Sequence, residues 1–309
     1  MKNMKTLLTG AALLLGLAGS ALAETELVIL GTGTPVADGD RAGSGAAVIH
    51  DGRAYLFDIG GGVVQNMIKA SGVSGVAAPK EPKGREALFP TVVDHLFLTH
   101  MHSDHIMDFP ELAGTLWWRR DNQMTVHGPT GTQAVADGYY QMLQIDTRLR
   151  IDGNQPVDKP ENYKVAVTEH DGPFTVTDGD VTIEAFSVPH GDISPSFGYR
   201  ITTPDKVIVI SGDTNESDEV IRMAKGADIL VHEVISTEGL NALPEFWQDY
   251  HNHAHTTTAE LARIAAEAQP GLLVLTHILH YGAPIESALT EIQAQYDGQV
   301  VLADDLDGF

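Results

Sequence analysis

The sequence contains no cysteine among its 309 residues. This absence excludes disulfide bonds, thiolate metal ligands, iron–sulfur clusters and cysteine nucleophiles. Metal or acid–base chemistry therefore has to come from the 14 histidines and from the carboxylates. The composition, with 43% hydrophobic residues, 20% charged residues and 31 glycines, is typical of a packed globular chain.

Basic residues are also scarce. Nineteen Lys and Arg stand against 42 Asp and Glu, which gives a formal net charge of -23. A surface this acidic repels phosphate backbones and anionic lipid. The best candidates for a basic patch are Lys80, Lys83 and Arg85 in one segment and Arg119 with Arg120 in another. On charge alone we do not expect a nucleic acid partner.

The first 23 residues have the pattern of a secretory signal peptide. Two lysines precede an apolar run at 7–17, and Ala21 and Ala23 form an A-x-A cleavage pattern. An uncleaved membrane anchor is the alternative, but the run is short for a membrane span and is interrupted by glycine. We expect a chain that begins near Glu24, is periplasmic or secreted, and has no membrane contact after cleavage.

Strands and helices alternate along residues 24–309 without a break in composition. Apolar runs bounded by turn residues predict strands at 27–30, 46–49, 54–57, 94–99, 181–188, 197–202, 207–210, 228–231, 272–275 and 300–302. Helical patterns occur at 63–70, 216–225, 257–267 and 285–295. Thr257 and Glu260 are spaced as a capping box. We expect one α/β domain with a sheet in each half, helices outside, and long surface loops at 79–90, 139–160 and 238–253.

The densest group of metal-ligand side chains directly follows the predicted strand at 94–99. It contains His100, His102, Asp104 and His105. A short turn would hold these side chains at the carboxyl end of the strand, where open α/β folds bind ligands. Imidazole and carboxylate donors suit zinc, manganese or iron. We predict a metal site here, with metal-free surface histidines as the alternative.

The order His100-x-His102-x-Asp104-His105 resembles the signature of the metallo-β-lactamase superfamily. Further segments resemble its ribonuclease Z-like branch, which also includes phosphodiesterases and arylsulfatases. They occur in the family's order at residues 30–35, 56–60, 128–132, 187–191, 197–200, 211–214, 231–233, 255–257 and 275–277. The resemblance spans nearly all of residues 24–309. It implies a hydrolase domain folded as a four-layer αββα sandwich, with a metal site between its two sheets.

The resemblance implies two divalent metal ions, zinc by preference, with manganese and iron as alternatives. It implies that His100, His102 and His190 bind the first ion. Asp104, His105 and His277 would bind the second ion, and Asp213 would bridge the two ions. The attacking group would be a hydroxide that bridges the metals. Asp104 counts among the catalytic residues as well as the ligands, and Asp58 is expected to support the ligand loop.

A proton donor for the leaving group is also implied by the resemblance. His255 would be this acid, and Glu233 would orient it and raise its pKa. The alternative is that both side chains only brace the entry to the helix at Thr257. His251 and His253 compete for the role because they stand close to His255 in the sequence.

The function expected from these features is that of an exported dinuclear metal-dependent hydrolase acting on small phosphodiesters or related esters. A lactonase or β-lactamase using the same metal site is the alternative, and a non-catalytic exported metal-binding protein is the second. Ribonuclease Z enzymes that process transfer RNA carry a long arm where this chain has only residues 201–210, which predict a tight hairpin. That difference and the net charge favour a small-molecule ester. Aromatic residues at 117–118 and 238–253 could line its pocket or form a homodimer contact, and both remain open.

Overall fold

The computed structural model describes residues 24–309, so the signal peptide predicted at residues 1–23 lies outside the described residues. The strands of the described part are β1 Glu26–Gly31, β2 Gly45–His50, β3 Arg53–Phe57, β4 His95–Phe97, β5 Thr125–Pro129, β6 Ala166–His170, β7 Phe174–Asp178, β8 Val181–Ser187, β9 Phe197–Thr202, β10 Val207–Ile210, β11 Ile229–Ile235, β12 Leu272–Leu279 and β13 Val300–Leu302.

The helices are α1 Val63–Ser71, α2 Ser103–Ile106, α3 Phe109–Gly114, α4 Thr132–Met142, α5 Gln144–Asp152, α6 Asp218–Ala224, α7 Thr237–Ala242, α8 Glu245–Ala254, α9 Thr258–Ala268 and α10 Glu286–Gln293. The capping box predicted from the sequence is present at α9, where Thr257 and Glu260 exchange hydrogen bonds. No helix within residues 24–309 combines the length and apolar character that a membrane crossing requires.

The strands form two sheets, one in each half of the chain, as predicted. The first sheet has the order β1-β2-β3-β4-β5-β6, and the second has the order β13-β12-β11-β10-β9-β8-β7. In each sheet an antiparallel part continues into a parallel part, which begins at the β3–β4 pair in the first sheet and at the β10–β11 pair in the second. The carboxyl ends of parallel strands lie at one sheet edge, so each sheet gathers loops at that edge.

Both faces of the two sheets are covered, which gives the four layers expected from the sequence. In β1, Leu27 and Ile29 lie in the core between the sheets, while Val28 and Leu30 face the opposite side, under the outer helices. This alternation follows the two-residue period of a strand. A second outer core lies beneath α6, α9 and α10. The αββα sandwich is therefore confirmed.

A β-bulge in the second sheet sets the position of one predicted ligand. Glu233 of β11 pairs with Thr276 of β12, but the next residue, Val234, pairs with Ile278. His277 is left as the extra residue and adopts a φ of 45°. Bulges re-aim side chains at sheet rims, and this one turns His277 towards the centre described below.

Two of the three predicted surface loops contain α-helices instead, and the third, at 79–90, contains a short 3-10 helix at Gly84–Leu88. The segment at 139–160 holds the end of α4 and all of α5, and the segment at 238–253 holds most of α7 and α8. In α5 the side chains of Ile145 and Leu149 are 73% and 70% exposed, so the helix lacks a buried apolar stripe that its sequence could reveal. The hairpin predicted at 201–210 is present, with Thr202 paired to Val207.

Candidate metal centre

The first group of predicted ligands comes together at the mouth between the two sheets. His100 and His102 follow β4, and His190 follows β8. Nδ1 of His102 lies 2.9 Å from Nε2 of His100 and 3.2 Å from Nε2 of His190. Nitrogens that bind one tetrahedral zinc at about 2.0–2.1 Å are about 3.3–3.4 Å apart. Three imidazole nitrogens therefore converge at a spacing that suits a single cation.

The second group lies beside the first. Nε2 of His277 is 3.1 Å from Oδ2 of Asp104, and Nε2 of His105 is 3.5 Å from the same oxygen. Nε2 of His105 and Oδ1 of Asp104 are buried without a hydrogen-bond partner. Buried polar atoms are rarely left unpaired, so two such atoms in one cluster are suited to bind a cation.

Asp213 stands between the two groups. It follows β10, and its carboxylate is buried. Its Oδ1 atom lies 3.5 Å from Nε2 of His105. Its Oδ2 atom lies 3.5 Å from Nε2 of His277 and 3.9 Å from Nε2 of both His100 and His190. The Asp213 carboxylate therefore lies within reach of both groups of donors.

A layer of hydrogen bonds fixes the orientation of the predicted ligands. Asp58 accepts hydrogen bonds from the backbone N–H of Thr99 at 2.8 Å and from its hydroxyl at 2.8 Å, and it lies 2.7 Å from Nδ1 of His105. His190 donates through Nδ1 to the carbonyl oxygen of Ala254 at 2.8 Å. Such partners fix the tautomer that leaves the other ring nitrogen free for a metal. The Ala254 carbonyl has no side-chain signature, so the sequence could not reveal it.

The electrostatics of the cluster differ between its two groups of candidate ligands. Burial lowers the pKa of His100 well below its ordinary value, and His105 beside it lowers that pKa further. Burial likewise lowers the pKa of His190. Burial opposes the charge on Asp213, but His277 and His105 hold its pKa well below the usual range. Burial opposes a positive charge on His105 and His277, but Asp213 raises the pKa of both rings, so each would release a proton on binding a metal ion.

The predicted acid and its partner lie against this centre. Nδ1 of His255 is 3.4 Å from Oε2 of Glu233, and both side chains are buried. The His255 ring centroid is 5.2 Å from that of His190. Oε1 of Glu233 accepts hydrogen bonds from the backbone N–H groups of Thr256 at 2.9 Å and Thr214 at 3.3 Å. Glu233 thus braces the segment before α9 with one oxygen and faces His255 with the other.

The competing residues occupy other positions. His253 is exposed, with Nδ1 2.6 Å from the carbonyl oxygen of Asp249. His251 is buried next to His255, with ring centroids 5.6 Å apart. Trp117 and Trp118 do not join the cluster, because the ring of Trp117 packs on Tyr163 and that of Trp118 lies under the guanidinium of Arg150. The two tryptophans therefore do not line this centre.

Comparison with known proteins agrees with this geometry. A model of the beta-lactamase superfamily domain matches residues 71–278, which is more than half of the chain. The chain belongs to the metallo-β-lactamase superfamily. The metallo-β-lactamase fold protein YhfI of Bacillus subtilis covers 92% of this chain and 98% of its own, with a TM-score of 0.68 at 19% identity. The short form of human tRNase Z has a TM-score of 0.63 at 20% identity, with the same coverage of each chain.

Curated relatives place the chain in the ribonuclease Z-like branch. Ribonuclease Z of Mycobacterium sp. (strain KMS) is 32% identical over 292 residues, which cover 91% of this chain and 94% of the relative. Ribonuclease Z of Mycobacterium bovis (strain BCG / Pasteur 1173P2) is 29% identical over 289 residues, which cover 91% and 96%. The fold and these relatives together support a metal-dependent hydrolase with divalent metal ions.

Two predictions are wrong in the light of these relatives. The first is the prediction of an exported hydrolase of small esters, together with its lactonase, β-lactamase and non-catalytic alternatives. It disagrees with the relatives, which are named Ribonuclease Z and match nine tenths of the chain. The exclusion of nucleic acid fails for the same reason. Net charge is a sum over the whole surface, whereas a phosphodiester is bound at one place. Here that place collects ligands for cations, so the overall charge of -23 does not decide the partner.

Proposed function

We propose that this protein is a metal-dependent ribonuclease that hydrolyses phosphodiester bonds of RNA. The observation that carries the proposal is the position of Asp213 between two groups of converging donors, in a chain whose relatives at up to 32% identity are named Ribonuclease Z. A centre with donors for two cations suits a phosphodiester, because its two non-bridging oxygens carry charge that increases in the transition state.

We propose two zinc ions as the metals. His100, His102 and His190 would hold one ion, and Asp104, His105 and His277 the other, with Asp213 shared. The donor set contains nitrogen and oxygen without sulfur, which zinc accepts readily. When bound, two such cations supply a lowered pKa for water and positive charge at the phosphoryl oxygens.

The protein's own side chains complete the chemistry. His255 is proposed to give a proton to the leaving oxygen, since its ring borders both His190 and His277, at centroid distances of 5.2 Å and 5.9 Å. Glu233 positions that ring through the oxygen that faces Nδ1, which directs Nε2 away from the carboxylate.

The test is hydrolysis of RNA by the zinc-loaded protein. Precursor transfer RNA with a 3′ extension and an unstructured oligoribonucleotide are the substrates, and zinc content is measured in parallel. Asp213→Ala is expected to abolish cleavage and to lose bound zinc, because both donor groups depend on its charge. Asp178→Asn is the matched control, since this carboxylate pairs with Arg53 and Tyr55. Absence of cleavage of any RNA by the zinc-loaded wild type would refute the proposal.

A further inference from the structure

Helix α8 exposes three aromatic side chains beside the candidate metal centre. Phe246, Trp247 and Tyr250 are 65%, 45% and 48% exposed. Their rings contact one another, with centroids 5.4 Å apart for Phe246 and Trp247 and 5.7 Å apart for Trp247 and Tyr250. A cluster of exposed aromatic rings indicates a binding surface, because single exposed apolar residues are common but contiguous patches are not.

A continuous row of rings connects this aromatic face to the predicted ligands. His255 packs on His190 at 5.2 Å, and His251 packs on His255 at 5.6 Å. Trp247 in turn stacks on His251 at 5.9 Å, with 26° between the ring planes. The end of α8 is also held to the ligand loop, because the backbone N–H of Gly191 donates to the carbonyl oxygen of His253 at 3.0 Å. The aromatic face is therefore connected to the predicted ligand His190 through two intervening imidazole rings, those of His251 and His255.

The charges around the aromatic face select the kind of occupant. Glu245 and Asp249 lie on the same helix as the rings and place two carboxylates beside the aromatic face. A phosphate group on this face would be repelled. A flat, uncharged group has no such penalty and gains from contact with the rings.

We propose that Trp247 and Tyr250 form a stacking platform for unpaired nucleobases of the RNA, next to the phosphodiester that is cleaved. The inference rests on the ribonuclease function proposed above. Bases in a duplex already stack on one another, so the platform requires a single-stranded segment at the cleavage point. Stacking on aromatic side chains tolerates every base, because each base has a flat π-face. It therefore provides affinity at a face whose own carboxylates disfavour phosphate contacts.

The experiment compares Trp247→Ala, Trp247→Phe and wild type on two oligoribonucleotides, one complete and one with abasic nucleotides on both sides of the cleavage point. Wild type should prefer the complete substrate by about tenfold in kcat/KM, the order expected for one stacked base. Trp247→Ala should lose about tenfold on the complete substrate and nothing further on the abasic one, mainly through KM. Trp247→Phe should keep most of the preference, because the ring remains.

Leu149→Ala is the control, since Leu149 is a 70% exposed apolar side chain on a different helix, α5. Circular dichroism of each variant verifies the fold. RNA cleavage that is equally fast in wild type and Trp247→Ala would overturn the platform and leave the ribonuclease function standing. A wild type that cleaves no RNA would overturn both. Conversion of a dimer to a monomer by Trp247→Ala in sedimentation would assign the face to a second copy of the chain and overturn the platform.

Discussion

The substitution Asp58→Asn tests how the predicted ligands are held. The Asp58 carboxylate is buried and faces Nδ1 of His105 at 2.7 Å, so His105 carries its proton there and leaves the lone pair of Nε2 free. An asparagine amide can donate to Nδ1 instead. The ring would then carry its proton on Nε2, the atom that points towards Asp213 at 3.5 Å. That tautomer cannot bind a metal.

The expected loss for Asp58→Asn is about 10- to 100-fold in zinc affinity, as for other partners of metal-binding histidines. This range corresponds to about 1.4–2.7 kcal/mol. The backbone should tolerate the change, because Asp58 has a φ of 61° and asparagine is one of the few residues that adopt this region readily. Side-chain charge and tautomer are therefore the quantities that change.

The assay for Asp58→Asn is competition with a graded series of zinc chelators, followed by elemental analysis and by the rate of RNA cleavage. Asp178→Asn serves as the control, since this carboxylate lies 3.4 Å from Nε2 of His95 and has no contact with the cluster. The two variants should differ in zinc affinity and agree in their far-ultraviolet spectra. Equal zinc affinity in Asp58→Asn and wild type would refute the reasoning about the tautomer.

Three further predictions concern the acid, the pH dependence and the amino terminus. His255→Ala and Glu233→Gln should each reduce the rate of RNA cleavage by about 10²- to 10⁴-fold while bound zinc is retained. Both variants should reduce the hydrolysis of an aryl phosphodiester far less, because an aryl leaving group needs no proton. Equal losses on both substrates would contradict an acid role. Burial and His170 lower the pKa of His127 from 6.5 to about 4. Between these pH values the unfolded chain binds more protons than the folded chain, so the free energy of unfolding falls as the pH drops from about 6.5 to 4. His127→Phe should weaken this dependence in thermal melts, and an unchanged slope would exclude His127 as a cause. The signal peptide stays a prediction: the mature chain should begin near Glu24, and the intact mass after expression in a Gram-negative host tests this. A mass that includes residues 1–23 would contradict cleavage.

Part of the candidate site was predictable because several of its residues stand where the sequence marks the ends of strands. His100, His102, Asp104 and His105 follow one apolar run, and Asp213 follows another. Strand ends in a parallel sheet converge at one edge, so local patterns in distant segments predict a common location. His277 is different in kind, because a bulge within β12 re-aims it, and no feature of the sequence revealed the bulge.

The helices near the centre were harder to predict. In α5, Ile145 and Leu149 face solvent, so no amphipathic pattern separates that helix from a loop. In α8, Phe246 and Trp247 are apolar but exposed, so the sequence does not show a clear division into a buried apolar face and an exposed polar face. The partner was misjudged for a similar reason, because the total charge averages over a surface whose binding properties are local.

The position of the metals tests the central claim most directly. Crystals of the zinc-loaded protein, measured at the zinc absorption edge, should give two anomalous peaks on either side of the Asp213 carboxylate, about 3.5–4 Å apart. One peak should lie within bonding distance of His100, His102 and His190, and the other within bonding distance of Asp104, His105 and His277. A single peak, or peaks away from Asp213, would contradict a dinuclear centre.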